Sequence, residues 1–315
     1  MVMDSNVYRY SKEEIEEYES YHDRNTQFES VDTIGDLISR PSAGINLRKS
    51  FIRRRPTEFT FVTEMSLFAR NTIKNYENYQ FELRQQLTDS DVVKIGFAYI
   101  PKYFVQNFFD TDLRAYGRAY YAKHSLETFW RHDFNQYLRF RFLYELANRK
   151  YATQFQERDS YENTFNFALI FPHIAVPWLR GKVFYEFSSL DARGSDDDPQ
   201  VDVNISNLVN GVGGELEAVV FKKLHWTGFM DYHYRWFTTG HAVDVDPFHS
   251  GRHDDRWHVG VRGEYDITPY ARLFAQWEYI QNDAHTKTDT STQNTPGDIL
   301  DFDSHLGTIG IRCDF

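Results

Sequence analysis

Apolar and polar residues alternate along most of this chain from Glu58 onward. The segments "NYQFELRQQL" (78–87), "FMDYHYRWF" (229–237) and "ARLFAQWEYI" (271–280) show the pattern clearly. A side-chain period of two is that of a β-strand with one apolar and one polar face. Repeated along the chain, the pattern predicts about 12 strands of about 9–14 residues, the length of a membrane-spanning strand.

The chain closes with the same alternation, in "HLGTIGIRCDF" (305–315). Ile309, Ile311, Cys313 and Phe315 share one face of this predicted last strand. The mean hydropathy of the chain is nevertheless −0.61. A low average is expected when every apolar position has a polar neighbour, so hydropathy does not separate a soluble protein from a membrane-spanning barrel.

Two all-β architectures fit this pattern: a soluble sandwich and a transmembrane barrel. The polar face carries many charges of both signs, which suits a lumen. Long connections at about 105–133, 192–208, 240–254 and 284–303 all follow odd-numbered predicted strands, as the loops at one end of a barrel do. A short link near 159–162 falls on that same side and does not fit. We predict an all-β, transmembrane, antiparallel up-and-down barrel.

In these features, residues 58–315 resemble the Gram-negative outer-membrane β-barrel proteins. That family ends in an aromatic residue, most often Phe, after alternating apolar positions; the third residue from the end, often Tyr, is Cys313 here. The resemblance implies a location in the bacterial outer membrane and contact with membrane lipid and lipopolysaccharide. It also implies that Ile309, Ile311, Cys313 and Phe315 form the signal that the barrel-assembly machinery reads.

Residues 1–57 differ from the rest of the chain. Ser11 and Glu14 have the spacing of a capping box, which predicts a short helix, and "VDTIGDLISR" (31–40) is a second candidate helix. The segment is polar and too small for a core of its own. Two places remain for it: folded into the lumen as a plug, or below the barrel as a contact for a periplasmic partner. Because the predicted lumen is narrow and charged, we predict the second, a partly helical periplasmic extension below a barrel formed by 58–315.

Composition excludes several classes of function. The net charge is −11 and the longest basic run is "RRR" at 53–55, so no nucleic-acid partner is expected. A single cysteine and the absence of CxxCH exclude an internal disulfide and a c-type haem. No cofactor is expected. The first residues lack a signal-peptide pattern, and we interpret the sequence as a mature form.

The polar face of the predicted strands supplies a candidate lumen. A channel or export pore for small polar or charged solutes would use these side chains to select by charge. The alternatives are a lumen closed by mutual ion pairs, as in a scaffold or assembly partner of a larger complex, and an outer-membrane hydrolase. The candidate lumen residues are Glu64, Glu82, Arg84, Arg139, Arg141, Arg180, Lys182, Glu186, Glu215, Glu217, Asp231, His233, Arg235, Arg262, Glu264, Arg272 and Glu278.

Chemistry beyond transport has weaker signals. The loop "HAVDVDPFHSGRHDD" (241–255) contains imidazoles and carboxylates that suit a divalent metal, although no fixed motif is present. A solvated acidic loop is the simpler interpretation. The metal candidates are His241, Asp244, Asp246, His249 and His253. For a hydrolase, Asp231 and His233 share one strand face, and no catalytic residue is assigned.

Overall fold

The structure is a computed structural model of the 315-residue chain. It describes residues 1–10, 12–21, 28–52, 55–110, 115–174, 176–194, 204–221, 223–240, 249–286 and 301–313. These residues form one antiparallel sheet that closes on itself as a barrel. None of the described helices has the length and apolar character needed to cross a membrane.

Fifteen strand segments and one α-helix follow each other along the chain. They are β1 (Val2–Asp4), α1 (Lys12–Tyr21), β2 (Asp36–Ser39), β3 (Ser42–Ile52), β4 (Arg55–Phe68), β5 (Tyr76–Gln86), β6 (Asp91–Asp110), β7 (Ala115–Asp133), β8 (Arg139–Tyr151), β9 (Ser160–Phe171), β10 (Leu179–Ala192), β11 (Asn207–Val220), β12 (Leu224–Phe237), β13 (His253–Thr268), β14 (Ala271–His285) and β15 (Phe302–Cys313). Each strand from β3 to β14 pairs with the next one along the chain.

The barrel has 14 strands, because β2 and β3 act as one interrupted strand. Both pair with β4 in a single register, with Ser39 opposite Leu67 and Ser42 opposite Glu64. The interruption contains Pro41, whose nitrogen cannot donate to a ladder. The short strand β1 lies between β15 and β2 and closes the barrel.

The predicted count of about 12 strands is therefore wrong, and particular segments explain it. The weaker alternation in "KYATQFQER" (150–158) supplies one of the about 12 strands that the sequence predicts, but Thr153–Arg158 forms short 3₁₀ turns. Strand β7 was assigned to a long connection, since Ala122, His124 and Thr128 interrupt its apolar face. β1 and the β2–β3 strand were placed in the extension. Because 150–158 is not a strand of its own, the short link near 159–162 no longer counts as a separate connection, and the misfit in loop length disappears.

The two ends of the barrel differ in the length of their connections. At one end, here called the short-turn end, links such as 87–90, 221–223 and 269–270 join neighbouring strands. At the other, the long-loop end, links 193–206, 238–252 and 286–301 are several times longer. Three of the four connections predicted to be long, at about 192–208, 240–254 and 284–303, correspond to these links, whereas most of 105–133 belongs to the strands β6 and β7.

The outer face is apolar in a band between aromatic residues. On β13, Trp257, Val261 and Tyr265 are each about two-fifths or more exposed, and they lie on one side of the strand. Nine residues separate the two aromatic ends of this row, counting both, which matches a strand crossing the hydrocarbon layer. An apolar surface of this extent is stable against lipid rather than water.

The N-terminal segment is not separate from the barrel. Strands β1, β2 and β3 belong to the barrel wall, so the predicted boundary at residue 58 does not mark its beginning. Residues 5–35 leave β1 at the long-loop end and return there to β2, since the Ser5 amide donates to the His305 carbonyl. The helix content is one short helix, α1. We call residues 5–35 the N-terminal cap.

The cap is held by a hydrophobic cluster at the long-loop end. Burial of these side chains supplies the core that so short a segment lacks by itself. Phe28 and Phe104 are almost fully buried, and Tyr10 meets Phe28 edge-to-face at 5.4 Å between ring centroids. The cluster is formed by Val2, Val7, Tyr8, Tyr10, Phe28, Val31, Ile38 and Phe104.

One edge of the wall is incompletely paired. Strand β3 pairs with β4 along its length, whereas its other edge has no strand partner among the described residues. Residues 42–51 are accordingly exposed on both faces. The closure by β1 therefore covers the part of the seam nearest the long-loop end.

Candidate functional site: the charged lumen

The polar face of the sheet is the concave, inner face of the barrel. A cavity of about 160 Å³ is lined from six successive strands, β9 to β14. Its lining is Glu162, Thr164, Glu186, Ser188, Val209, His233, Arg235, Asp254, Arg256 and Asn282. Side chains from six strands can share one cavity only on the concave side, so these positions define the lumen.

The candidate lumen residues all occupy this face. Ten of them line the cavities: Glu82, Arg139, Arg141, Arg180, Lys182, Glu186, Glu215, Glu217, His233 and Arg235. The others are an even number of residues along a strand from a lining residue, and so point to the same side. They are Glu64, Arg84, Asp231, Arg262, Glu264, Arg272 and Glu278.

Four cations form a basic wall near the short-turn end, consisting of Arg139, Arg141, Arg180 and Lys182. With Glu215 and Glu217 they line a cavity of about 510 Å³. Three of these cations are paired with carboxylates: Arg139 with Asp133 at 2.6 Å, and Arg180 with Glu217 and Lys182 with Glu215 at 3.4 Å each. The wall is therefore neutralised in part, and Arg141 is its cation without a carboxylate partner in the described contacts.

Arg141 differs from the other cations of the basic wall in its partner. Its Nη2 donates to the neutral amide oxygen of Asn166 at 3.1 Å. Its Nε is buried without a hydrogen-bond partner. The guanidinium charge of Arg141 is therefore directed into the cavity with less compensation than its neighbours have.

A second charged group lines the inner face of the neighbouring strands β5 to β8. Lys94 lies between Glu82 and Glu127, at 3.1 and 2.5 Å, and Lys123 lies 3.2 Å from Glu145. They border a cavity of about 320 Å³. Sequence reasoning missed Lys123 and Glu127 because strand β7 was not predicted, and it left Lys94 out of the candidate set although the alternation placed it on the polar face.

His258 is the most tightly held imidazole of the lumen. Its Nδ1 lies 3.1 Å from Asp231 and its Nε2 lies 2.8 Å from Glu278. Both ring nitrogens are therefore occupied by carboxylates, which leaves neither available to accept a proton from a substrate. His233 lies 3.6 Å from Asp231, but the pair does not face a nucleophile across the lumen in the described contacts.

A network of arginines and carboxylates connects β13 and β14 near the short-turn end. Arg272 donates through Nη1 to Glu264 at 2.6 Å and through Nε to Asp266 at 2.7 Å. Arg262 also pairs with Glu264. Such a network rigidifies the wall, since each carboxylate accepts from more than one donor.

Glycines make room for aromatic rings inside the barrel. A Cβ on Gly213 would lie 2.4 Å from the Phe184 ring, and one on Gly211 would lie 2.1 Å from the His233 ring. Gly211 and Gly213 of the "GVGG" run (211–214) therefore relieve crowding on the inner face. The lumen is narrowed by packed rings as well as by charge.

The structure describes only some of the candidate metal ligands and of the proposed assembly signal. His241, Asp244 and Asp246 lie outside the described residues. The ring of His249 lies 5.1 Å from that of Phe237, whereas the ring of His253 lies 4.9 Å from that of His285, so the two histidines have different neighbours.

Of the proposed assembly signal, Ile309 and Ile311 are exposed on the outer face of β15 and Cys313 ends that strand, while Phe315 lies outside the described residues.

Comparison with known proteins gives resemblance at the level of architecture. No family model and no curated protein matches the chain. Solved structures do: a loop L8 deletion mutant of OmpT, an outer membrane protein of Vibrio cholerae, is 10% identical with a TM-score of 0.43, covering 88% of this chain and 99% of that one.

Two other solved structures also match. The translocator domain of the autotransporter NalP from Neisseria meningitidis is 12% identical (TM-score 0.38; 98% and 100% covered), and LpxR from Salmonella typhimurium is 13% identical (TM-score 0.39; 76% and 89%). Likeness this distant assigns no activity. The closed antiparallel wall, apolar outer band and charged lumen are those of an outer-membrane β-barrel, and they place the chain in the bacterial outer membrane.

Proposed function

We propose that this barrel is a narrow pore for small polar solutes, with a preference for anions. The observation that carries the proposal is the basic wall, in which Arg139, Arg141, Arg180 and Lys182 face one cavity of about 510 Å³. A ring or wall of Arg and Lys lowers the electrostatic barrier for anions and raises it for cations. The overall charge of −11 makes such a local concentration of cations notable.

The proposed solutes are small molecules that carry a carboxylate, such as acidic sugars. The planar guanidinium of Arg141 can donate to both oxygens of a carboxylate. Asn166 accepts from Arg141 and donates to Glu186 at 3.2 Å, so it holds the guanidinium in place. The loose 3.4 Å pairs of the wall can be exchanged for a solute at small cost, because partly exposed ion pairs contribute little.

The N-terminal cap narrows the long-loop mouth of the proposed pore. Arg9 of the cap donates to the inner-face residue Ser304 at 2.9 Å. On the other side, Lys74 donates to the Val7 carbonyl at 2.9 Å. Arg118 of β7 also donates to the Ser30 hydroxyl of the cap at 3.0 Å. The cap thus extends from β15 to β7, and we propose that it limits the rate of solute passage.

Liposome swelling with a neutral sugar and with its uronate tests the proposal. We expect faster uptake of the uronate in wild type and loss of that preference in Arg141→Gln/Arg180→Gln. Arg70→Gln, which removes an exposed arginine at the long-loop end, is the matched control and should keep the preference. Equal uptake of both sugars by wild type would contradict the anion preference.

A non-conducting scaffold is the second candidate, favoured by the ion pairs that bridge neighbouring strands inside the lumen. Lys94 with Glu82 and Glu127 is the clearest case. In that role the cap, rather than a periplasmic extension, would supply the contact for a partner. Absence of swelling with either sugar, in protein shown to be folded, would favour the scaffold. A hydrolase is less favoured because both nitrogens of His258 are occupied.

A further inference from the structure

Three metal-binding side chains meet on the outer face of the barrel, away from the lumen. His253 and Asp255 lie two residues apart on β13, and His285 ends β14 directly opposite His253. One ligand atom from each residue can be chosen so that all three lie within 4.8 Å of one another. Neighbouring strands hold these positions by ladder hydrogen bonds, so the cluster follows from the register itself.

The position of the cluster makes it accessible from water. On β13 the apolar row begins at Trp257, and His253 and Asp255 precede it on the side of the long-loop end. A span of about 9–11 residues crosses the hydrocarbon layer. The cluster therefore lies beyond the aromatic end of the band, at the height of headgroups and solvent, where a cation can reach it.

From this geometry we infer that His253, Asp255 and His285 bind a divalent transition-metal ion of the Zn²⁺ class. Two imidazoles and one carboxylate are the donors that zinc, nickel and copper favour over calcium and magnesium. Around a tetrahedral zinc with ligand bonds of about 2.0–2.1 Å, donor atoms lie roughly 3.3 Å apart. His285 Nε2 and Asp255 Oδ2 are 3.6 Å apart, close to that spacing.

Neighbouring side chains support the three ligands as they do in metal sites. The Tyr232 hydroxyl donates a hydrogen bond to Asp255, which fixes the orientation of the carboxylate. The ring of Tyr234 packs 5.5 Å from that of His253. His285 is half exposed and can rotate to bring its ring nitrogen to the ion. Three protein ligands leave a further coordination position open to water.

Isothermal titration calorimetry of the detergent-folded protein with Zn²⁺ tests the inference. We expect one site in wild type, an affinity at least about 100-fold lower in His253→Ala/His285→Ala, and a loss of about 10-fold in Tyr232→Phe, in the range for residues that orient a ligand. His305→Ala is the matched control, because His305 is an outer-face histidine on β15 whose ring lies 5.0 Å from that of Tyr279. It should bind as wild type does.

Electron paramagnetic resonance with Cu²⁺ gives an independent readout, in which coupling to two imidazole nitrogens is expected in wild type and lost in the double variant. Retention of the heat-modifiable gel shift in each variant shows that the barrel has folded. Zn²⁺ affinity that is unchanged in the double variant would place the ion elsewhere and overturn the inference. So would the absence of a saturable site in wild type.

Discussion

Asn71 holds Asp36 through two hydrogen bonds to one carboxylate oxygen. Its backbone amide donates to Asp36 Oδ2 at 2.7 Å and its side-chain amide donates to the same atom at 3.0 Å. Its Oδ1 accepts from the Asp32 and Thr33 amides at 3.0 and 3.2 Å, and from the Tyr8 hydroxyl at 3.2 Å. This fully buried residue, between β4 and β5, thereby attaches the N-terminal cap to the barrel.

Replacing Asn71 by Ala should loosen the cap. The substitution removes the acceptor of the buried Tyr8 hydroxyl and of the part-buried amides of Asp32 and Thr33, at a cost of about 1–3 kcal/mol for each group that stays buried. Hydrogen exchange should therefore accelerate in residues 5–35 while the strands β8–β14 stay protected. Asn135→Ala is the control, because Asn135 accepts from the Tyr137 and Leu138 amides in the same manner at the short-turn end. Equal protection of the cap in both variants would contradict this role of Asn71.

The stability of the cap should depend on pH through Lys74. Burial and, to a lesser extent, the charge of nearby Arg9 lower the pKa of Lys74 from 10.5 to about 7. Between these values an opened cap binds more protons than a closed one, so closure becomes more favourable as the pH rises from about 7 toward 10.5. Below about 7 both forms are protonated and the dependence ends.

Chymotrypsin cleavage within the cap, normalised to an unfolded peptide, measures this dependence. The normalised cleavage rate should fall from pH 7 to pH 9 in wild type. In Lys74→Met the slope of this rate against pH should vanish. Lys12→Met, which changes an exposed lysine on α1, should keep the wild-type slope. A slope that persists in Lys74→Met would assign the pH dependence to another group.

Gly213 should not tolerate a side chain. A Cβ there would lie 2.4 Å from the Phe184 ring and 2.8 Å from the Asp231 Cβ, so Gly213→Ala overpacks the lumen and should destabilise the barrel by about 1–3 kcal/mol. Gly228→Ala is the control, since no atom lies within 4 Å of its added Cβ. Urea unfolding in lipid vesicles measures both, and Phe184→Ala added to Gly213→Ala should recover part of the loss. Equal unfolding midpoints for the two glycine variants would refute the packing argument.

Val261 should mark the middle of the membrane-facing band. It lies midway between Trp257 and Tyr265 on the outer face of β13. An arginine at the bilayer midplane costs about 2–4 kcal/mol, so Val261→Arg should destabilise the barrel folded in vesicles by that amount. Val261→Leu keeps the apolar surface and should fold as wild type does. Normal folding of Val261→Arg would mean that this face does not meet lipid.

Much of the barrel could be predicted from the sequence because lipid and lumen impose alternation residue by residue. The strands β10 to β14 follow it with few exceptions, and the inner position of Arg262 and Glu264 follows from their parity. β7 escaped prediction because the lipid-facing row includes Ala122 and His124. Pro41 concealed the β2–β3 strand, whose two parts are recognised only from their common register with β4.

Contacts between distant segments could not be predicted. Nothing local indicates that Tyr8 and Phe104 meet, so the cap was placed at the wrong end of the barrel. His253 was a metal candidate through its neighbours in the loop, yet its partner is His285, which the hairpin register alone brings opposite. The candidate lumen set lacked Lys123 and Glu145, because pairing with the unpredicted strand β7 was needed to recognise their ion pair.

Single-channel recording of wild type and Asn71→Ala, in planar bilayers under a KCl gradient, tests the central claim most directly. The account predicts a small wild-type conductance. It also predicts a reversal potential closer to the equilibrium potential of chloride than to that of potassium, since the basic wall faces the lumen. It predicts larger or more frequent openings in Asn71→Ala with the same reversal potential, because the cap narrows the mouth without selecting charge. Silence of both folded proteins, or a reversal potential on the potassium side, would contradict it.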